Sequence, residues 1–180
     1  MTQPVSDDKR VQRTRQALFV AFSDLVLSRP YADIKIADII DAAGVGRSTF
    51  YEHYQSKDDV LRHAMSGLLG VLADTITPHY APERVLSVVV HFWQNRARAN
   101  ALNQPQTRAV ITRALASAFE ERLALRPGHA RIPAKLLAQQ LAEAQFGLLW
   151  SWLAGQASCS ADQIADTLAA TTRAIVDAAS

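Results

Sequence analysis

The stretch from Ile34 to Lys57 reads IKIADIIDAAGVGRSTFYEHYQSK, and its pattern decides the fold. Apolar residues recur at helical spacing as far as Gly44, a residue suited to the left-handed conformation that ends a helix. A second short helix follows at once, from Gly46 to Tyr54. Because the glycine turn is too tight for an antiparallel hairpin, the two helices must cross steeply, which predicts a helix-turn-helix.

The second helix of such a pair enters the major groove of DNA with its N-terminal turn first. Arg47 is placed for a bidentate contact to guanine or for a contact to phosphate. Ser48 and Thr49 can hydrogen-bond to bases or to the DNA backbone. The first turn of this helix is therefore predicted to face DNA.

Three further side chains extend the predicted DNA contacts. Tyr51 and His53 offer donors two residues apart, although singly a half-buried aromatic and a solvated surface residue explain them equally well. Lys57 begins the next helix, where it adds a positive charge to backbone amides that already favour an anion. Together they predict contacts to phosphate groups.

The rest of the chain is predicted to be helical, with no alternating strand pattern and no internal repeat. Residues Arg126–His129 form the clearest loop. Capping residues or prolines mark the helix starts, and two of these starts are predicted to be capping boxes, Ser56 with Asp59 and Ser160 with Gln163. The predicted helices begin near Ser6, Gly46, Ser56, Pro82, Gln104, Pro133 and Ser160, with another at Ile36.

Net charge is a weak argument for nucleic acid, because it is only +2 over 180 residues. Residues 1–62 hold nine basic and nine acidic side chains, so only their placement is informative. The early turns of the first helix are basic. This asymmetry favours a position near phosphate groups, and a solvated helix face explains it nearly as well. The basic residues are Lys9, Arg10, Arg13 and Arg15.

Composition excludes several classes of protein. The chain is 49% hydrophobic, enough for a core, yet no apolar run approaches the roughly 18 to 20 residues of a membrane span. The polar N-terminus lacks the apolar core of a signal peptide, so we expect a cytoplasmic protein. Cys159, the single cysteine, cannot form an internal disulfide, and we interpret it as a structural small residue rather than a redox sensor. The histidines lack metal-ligand spacing, and no nucleotide-binding or nucleophile motif is present, so we predict no enzyme, metal or cofactor.

The quoted stretch resembles the signature of the tetracycline-repressor (TetR) family, in which a helix ending in Ala-Gly-Val precedes x-x-x-T-F-Y-x-H-Y-x-S-K. The resemblance covers roughly residues 10 to 65. It implies that Arg47, Ser48 and Thr49 face bases, and that Val45 and Phe50 are core. The phosphate contacts that it implies are Thr49, Tyr51, His53 and Lys57.

Two positions depart from the family pattern. Lys35 stands where a threonine usually begins helix 2, and Gly46 stands where a serine or threonine usually begins helix 3. Glycine still caps acceptably, and Lys35 can exchange a cap for a direct phosphate charge. The departures put in doubt the phosphate contact at helix 2 and the base preference, but not the fold.

The resemblance also implies a helical C-terminal body. We therefore predict an all-α fold with a three-helix helix-turn-helix domain at residues 1–62 and a dimerisation and effector-binding domain at 63–180. The last two helices, with small residues Gly147, Ala154 and Gly155, are predicted to form a homodimer that reads a pseudo-palindrome. Buried packing within one subunit is the alternative for these helices.

An apolar or aromatic effector is a further expectation for the body. Aromatic residues at helical spacing are more often plain core, so core packing is the alternative for each of them. Family resemblance favours a repressor. The candidate effector residues are Phe92, Trp93, Arg96, Phe119 and Trp150.

A second hypothesis comes from a different class. The chain would then be an all-α ligand-binding or protein-interaction module that binds no operator. The two hypotheses differ in salt dependence, because DNA affinity falls steeply with salt when phosphate contacts are made.

Overall fold

The computed structural model describes residues 5–126 and 131–179, with side chains from residue 9 onward in the first range. In these ranges every regular element is helical, which confirms the predicted all-α fold. The predicted loop at Arg126–His129 falls largely on residues 127–130, outside the described residues. The helices are α1 (Val5–Ser28), α2 (Ile36–Ala43), α3 (Arg47–His53), α4 (Lys57–Asp74), α5 (Pro82–Gln94), α6 (Arg96–Leu102), α7 (Pro105–Leu123), α8 (Ala134–Leu153) and α9 (Ala161–Ala179).

The chain divides into two compact units, residues 1–64 and residues 65–180. Helix α4 begins in the first unit and ends in the second. A short 3-10 turn, Tyr31–Asp33, joins α1 to α2. None of the helices in the described part combines the length and apolar content that a membrane span requires.

Two of the predicted helix starts are capping boxes, and both are confirmed. The Ser56 hydroxyl accepts a bond from the Asp59 amide at 3.2 Å, and Asp59 Oδ2 accepts one from the Ser56 amide at 3.0 Å. Ser160 and Gln163 make the same reciprocal pair at 3.2 and 3.0 Å. Each box satisfies two amides that the first turn of a helix leaves without a partner.

Helix α6 is the one helix of the described part that the sequence pattern did not predict. Among its seven residues only Ala99 is buried, so no apolar stripe marks it. Its position between α5 and α7, with packing against α8, makes it helical. Local periodicity cannot report a helix that packs through a single alanine.

Large apolar side chains fill the core of the first unit. Phe50 of α3 is 0% exposed and lies between buried residues of the other helices. The rings of Phe22 and Tyr31 meet edge to face at 6.1 Å. The residues that surround this core are Leu18, Phe22, Tyr31, Ile34, Ile39, Tyr54 and Leu61.

In the second unit, α7 packs on α8, and α9 packs on α5 and α8. A buried polar junction joins α8 and α9 to the end of α4. The Gln145 amide nitrogen donates to the Thr172 hydroxyl at 2.9 Å, to the Thr75 hydroxyl at 3.1 Å and to the Leu72 carbonyl at 3.3 Å.

The segment between α8 and α9 is exposed but anchored. Its residues 154–160 are all exposed to solvent, and they include Cys159. The indole nitrogen of Trp152 donates to the Cys159 carbonyl at 3.0 Å. The backbone at Cys159 is thus tied to a buried side chain of α8.

Candidate DNA-binding surface

The turn between α2 and α3 depends on Gly44. Its φ of 64° and ψ of 32° lie in the left-handed region that favours glycine. The amides of Gly44 and Val45 donate back to the carbonyls of Asp41 and Ile40, each at 3.2 Å. These bonds end α2 abruptly, so only three residues separate the end of α2 from the start of α3.

Helix α3 has one buried face and one open face. The extended Gly46 caps it, and the Gly46 carbonyl accepts the first helical bond from the Phe50 amide at 3.0 Å. Phe50 holds the inner face in the core, whereas Gly46, Arg47 and Ser48 are exposed. The N-terminal turn of α3 therefore presents polar groups and a guanidinium outward.

The remaining predicted residues of α3 lie around this turn. Thr49 and His53 are half-buried, and Tyr51 is 45% exposed. The Arg47 guanidinium lies over the Tyr51 ring, 5.6 Å from its centre. This cation–π contact places the Arg47 guanidinium and the Tyr51 phenol, two groups that can donate hydrogen bonds, side by side on one exposed surface.

A groove of about 330 Å³ separates α3 from the N-terminal half of α1. Arg10 and Thr14 line its α1 side, and Thr49 and His53 line its α3 side. The basic early turns of α1 are thus brought next to α3, at a place that sequence spacing alone did not specify. Glu52 also lines the groove and lowers its positive charge.

The start of α2 is capped by an acid rather than by the usual threonine. Asp38 Oδ2 accepts a bond from the Lys35 amide at 2.8 Å and pairs with Arg29 at 3.3 Å. Lys35 itself is exposed. The chain therefore keeps a capped α2 and a lysine on the surface at its first turn.

Lys57 lies differently from what its sequence position suggested. Its ammonium donates to the carbonyls of Tyr31 at 2.7 Å, Ile34 at 2.8 Å and Ala32 at 3.2 Å. It also lies 4.5 Å from the centre of the Tyr31 ring. Since an ammonium has three donors, these carbonyls engage all of them. Lys57 thus braces the turn between α1 and α2, and its phosphate contact stays a prediction.

The same turn is fixed by Tyr31, whose hydroxyl donates to Asp58 in the first turn of α4. Burial raises the pKa of Tyr31 far above its ordinary value, and the hydrogen bond and negative charge of Asp58 raise it further. Burial also raises the pKa of Tyr54. The folded unit therefore favours both phenols in the neutral form.

We expect alkaline pH to destabilise the first unit. A phenol with a raised pKa contributes its full stability below about pH 10, the ordinary tyrosine value, and loses it as the pH rises further. In Tyr31→Phe the free energy of unfolding should fall less steeply above about pH 10 than in the unmodified chain. Urea unfolding followed by circular dichroism at several pH values measures this. The exposed Tyr51→Phe is the control, and equal slopes in Tyr31→Phe and the unmodified chain would contradict the assignment.

The predicted effector residues fall into two groups that differ in exposure. Phe92, Phe119 and Trp150 are buried in the second unit. Trp93 is 40% exposed, stacks on Trp152 at 4.7 Å and lies beneath the Arg96 guanidinium at 5.1 Å. Trp93 and Arg96 thus form a stack at the surface, whereas Phe92, Phe119 and Trp150 are buried.

Comparison with known sequences points to one kind of protein. The sequence pattern of the family described as bacterial regulatory proteins, tetR family, matches residues 14–64. Over 106 residues the chain is 31% identical to the uncharacterised HTH-type transcriptional regulator YxbF of Bacillus subtilis, a match covering 54% of this chain and 28% of that protein. Over 79 residues it is 25% identical to the dhaKLM operon transcriptional activator DhaS of Lactococcus lactis, covering 44% and 42%. The chain thus spans between 28% and 42% of the length of these relatives.

Solved structures extend the similarity to almost the whole chain. A TetR transcriptional regulator from Streptococcus agalactiae is 26% identical with a TM-score of 0.58, covering 93% of this chain and 98% of that one. A TetR-family regulator from Syntrophomonas wolfei is 16% identical with a TM-score of 0.52, covering 92% and 96%, which shows the fold alone. Both of these structures share with this chain an N-terminal helix-turn-helix followed by a helical C-terminal domain.

Proposed function

We propose that this chain regulates transcription as a member of the tetR family of bacterial regulatory proteins, whose sequence pattern matches residues 14–64, and that it binds a pseudo-palindromic DNA site as a homodimer. Repression by occlusion of a promoter is the mode that we favour. The relatives named above are transcriptional regulators and not enzymes.

The observation that carries the proposal is that α3 has one buried face and one exposed face. Phe50 is 0% exposed, while the first turn of the same helix is open to solvent. A helix that reads a major groove needs its N-terminal turn free and its inner face fixed. In our proposal Arg47, Ser48 and Thr49 approach base edges, with Gly46 beside them at the start of the helix.

Phosphate contacts would surround this turn. Thr49, Tyr51 and His53 border it on α3, and Lys35 is exposed at the first turn of α2. Lys57 can join them only by giving up one of its carbonyl partners. With on the order of eight phosphate contacts per dimer, log affinity should fall with log salt at a slope of about −7.

Selection of random duplex DNA by the purified chain, followed by titration at several salt concentrations, tests the proposal. Enrichment of a pseudo-palindrome, with half-sites about 34 to 36 Å apart or a multiple of it, is the expected result. A folded protein that enriches no sequence would instead favour a ligand-binding or protein-interaction module.

We expect Arg47→Ala to weaken binding to the selected site by about 1 to 3 kcal/mol and to relax the preference at one base position per half-site. The reason is that a bidentate arginine contact discriminates between bases. Titration of the selected duplex and of single-base variants measures both effects. Arg84→Ala, which removes the same charge from an exposed position on α5, should change little. A uniform loss over all base variants would reassign Arg47 to a phosphate contact.

The proposed dimer interface lies on α8 and α9. Trp150 and Trp152 are buried within the chain, so core packing accounts for them and they are not the contact surface. Instead, each helix leaves one stripe of mostly small residues wholly or partly exposed at a spacing of three or four. Small residues allow helices of two subunits to approach closely in a four-helix arrangement. The stripes are Ala144, Gly147, Leu148 and Ser151 on α8, and Thr167, Ala170, Thr171, Ala174 and Ala178 on α9.

Ala174→Arg should therefore dissociate the homodimer. A long charged side chain at the centre of the α9 stripe separates the helices, and we expect the dissociation constant to rise at least tenfold, or about 1.4 kcal/mol. Sedimentation equilibrium measures the change. Ser117→Arg, at an exposed position of α7, is the matched control. A variant Ala174→Arg that remains as dimeric as Ser117→Arg would place the interface elsewhere.

An effector, in this proposal, enters the second unit and shifts the population of its conformations. Four buried side-chain polar atoms there have no hydrogen-bond partner within the described residues, namely Thr107 Oγ1, Thr112 Oγ1, Gln145 Oε1 and Trp150 Nε1. Of these, the Trp150 indole can only donate and the Gln145 oxygen can only accept. Together with the buried rings of Phe92 and Phe119, they favour an apolar or aromatic ligand that offers one acceptor and one donor. Its differential affinity for the two conformations, typically about 1 to 3 kcal/mol, would set the loss of DNA affinity.

A further inference from the structure

A second, larger groove lies on the first unit and includes none of the residues of α3. It has a volume of about 710 Å³ and runs along α1, with Ala42 and Ala43 at the end of α2 as its other wall. Its floor on α1 is apolar at Ala17, Val20 and Ala21. Val20 is 48% exposed, a high value for a valine in a folded domain.

The charged residues of this groove stand at opposite ends of the apolar floor. Arg13 lies before it and Asp24 after it, about 16 Å apart at the 1.5 Å rise of a helix. Both side chains are exposed. Neither has an ion-pair partner within residues 9–126 and 131–179. The groove therefore presents an apolar strip with one positive and one negative end.

We infer that this groove is a docking surface for α1 of a second copy of the chain, antiparallel and related by a two-fold axis. Arg13 lies as far before the midpoint of α1 residues 18 and 19 as Asp24 lies after it. Ala17 and Val20 are also symmetric about that midpoint. A two-fold axis there places each Arg13 opposite the Asp24 of the second copy, and each Val20 opposite the small Ala17. This self-complementarity is what an isologous contact requires.

The contact joins assemblies and does not replace the proposed α8 and α9 interface, because it uses only the first unit. A strip of this size buries less than the roughly 1,200 Å² of a stable interface, so the contact alone is weak. It gains strength when two dimers are already held near each other, since the effective concentration is then high. Resting on the proposed function, this would make binding to neighbouring DNA sites cooperative.

Sedimentation equilibrium of the full chain without DNA, at tens to hundreds of micromolar, tests the inference. We expect reversible association to twice the mass of the basic assembly. Arg13→Asp and Asp24→Arg should each weaken this step about tenfold, because each creates two like-charge pairs in the two-fold contact. The double charge exchange, Arg13→Asp with Asp24→Arg, should restore it to within about threefold.

Val20→Asp and Leu27→Asp form a matched pair, since both side chains are exposed on α1, at 48% and 46%, but only Val20 lines the groove. Val20→Asp should abolish the association and Leu27→Asp should leave it unchanged. Circular dichroism verifies that the variants are folded.

Three results would each overturn the inference: failure of the double exchange to restore association, equal effects of the two aspartate substitutions, or absence of association in the unmodified chain. Loss of DNA affinity on Arg13→Asp, without any change in association, would assign the face to DNA instead. Because no DNA is present in the association assay, its outcome is independent of the operator selection.

Discussion

Phe50→Ala should lower the free energy of unfolding of the first unit by about 3 to 5 kcal/mol. The ring is 0% exposed and touches the core from the inner face of α3, so its removal leaves a cavity between three helices. Total stabilities of about 5 to 15 kcal/mol are usual for a domain, so this loss removes a large share of the stability of the unit that carries α3. DNA binding should be lost with it at moderate temperature.

The placement of tryptophan makes this loss measurable on its own. The three tryptophans, Trp93, Trp150 and Trp152, all lie in the second unit. Urea unfolding of the first unit should therefore appear in far-UV circular dichroism without a change in tryptophan fluorescence. Tyr51→Ala is the matched control, because it removes the neighbouring ring, which is 45% exposed. Its cost in stability should stay below about 1 kcal/mol. If both variants lost the same stability, the assignment of a buried face and an exposed face to α3 would be wrong.

Lys57→Met should cost about 2 to 4 kcal/mol of the same stability. The change keeps an unbranched side chain only one atom shorter but removes the donors to three carbonyls, and bonds to a charged group contribute about 1.5 to 3 kcal/mol each when well formed. Solvent can replace the bond at the exposed Ala32, so the total stays below the sum. Lys35→Met, at an exposed lysine of the same unit, should change stability little.

The same variant separates two roles of Lys57. If Lys57 only stabilises the turn between α1 and α2, Lys57→Met lowers stability and leaves the salt slope of DNA binding unchanged once the protein is folded. A phosphate contact lowers that slope by about 0.9 for each site removed. Equal stability of Lys57→Met and Lys35→Met would mean that the carbonyl contacts contribute nothing.

The parts of the structure that local sequence could predict are those that neighbouring residues determine. Gly44 and the two capping boxes act over four residues or fewer, and all lie where they were predicted. Phe50 is core because its helix has one apolar face. The all-α fold follows from such local signals summed along the chain.

The parts that escaped prediction depend on contacts distant in sequence. The acceptors of Lys57 lie 23 to 26 residues before it, so its position at the start of α4 suggested a free charge. Trp93 and Trp150 are both tryptophans among apolar residues at helical spacing, yet Trp93 is exposed and Trp150 is buried. Only the packing of α5 on α9 and α8 on α7 separates them. Helix α6, which buries a single alanine, belongs to the same class.

The anchored segment after α8 gives the molecule a natural position for a spectroscopic probe. Cys159 is the single thiol of the chain, it is exposed, and its carbonyl is held by the indole of Trp152. A maleimide dye or nitroxide would therefore attach once per chain, without any substitution, on a backbone with a fixed anchor. In a symmetric homodimer two such labels define one distance. Pulsed electron resonance could then follow that distance as DNA or a small molecule is added to the unmodified protein.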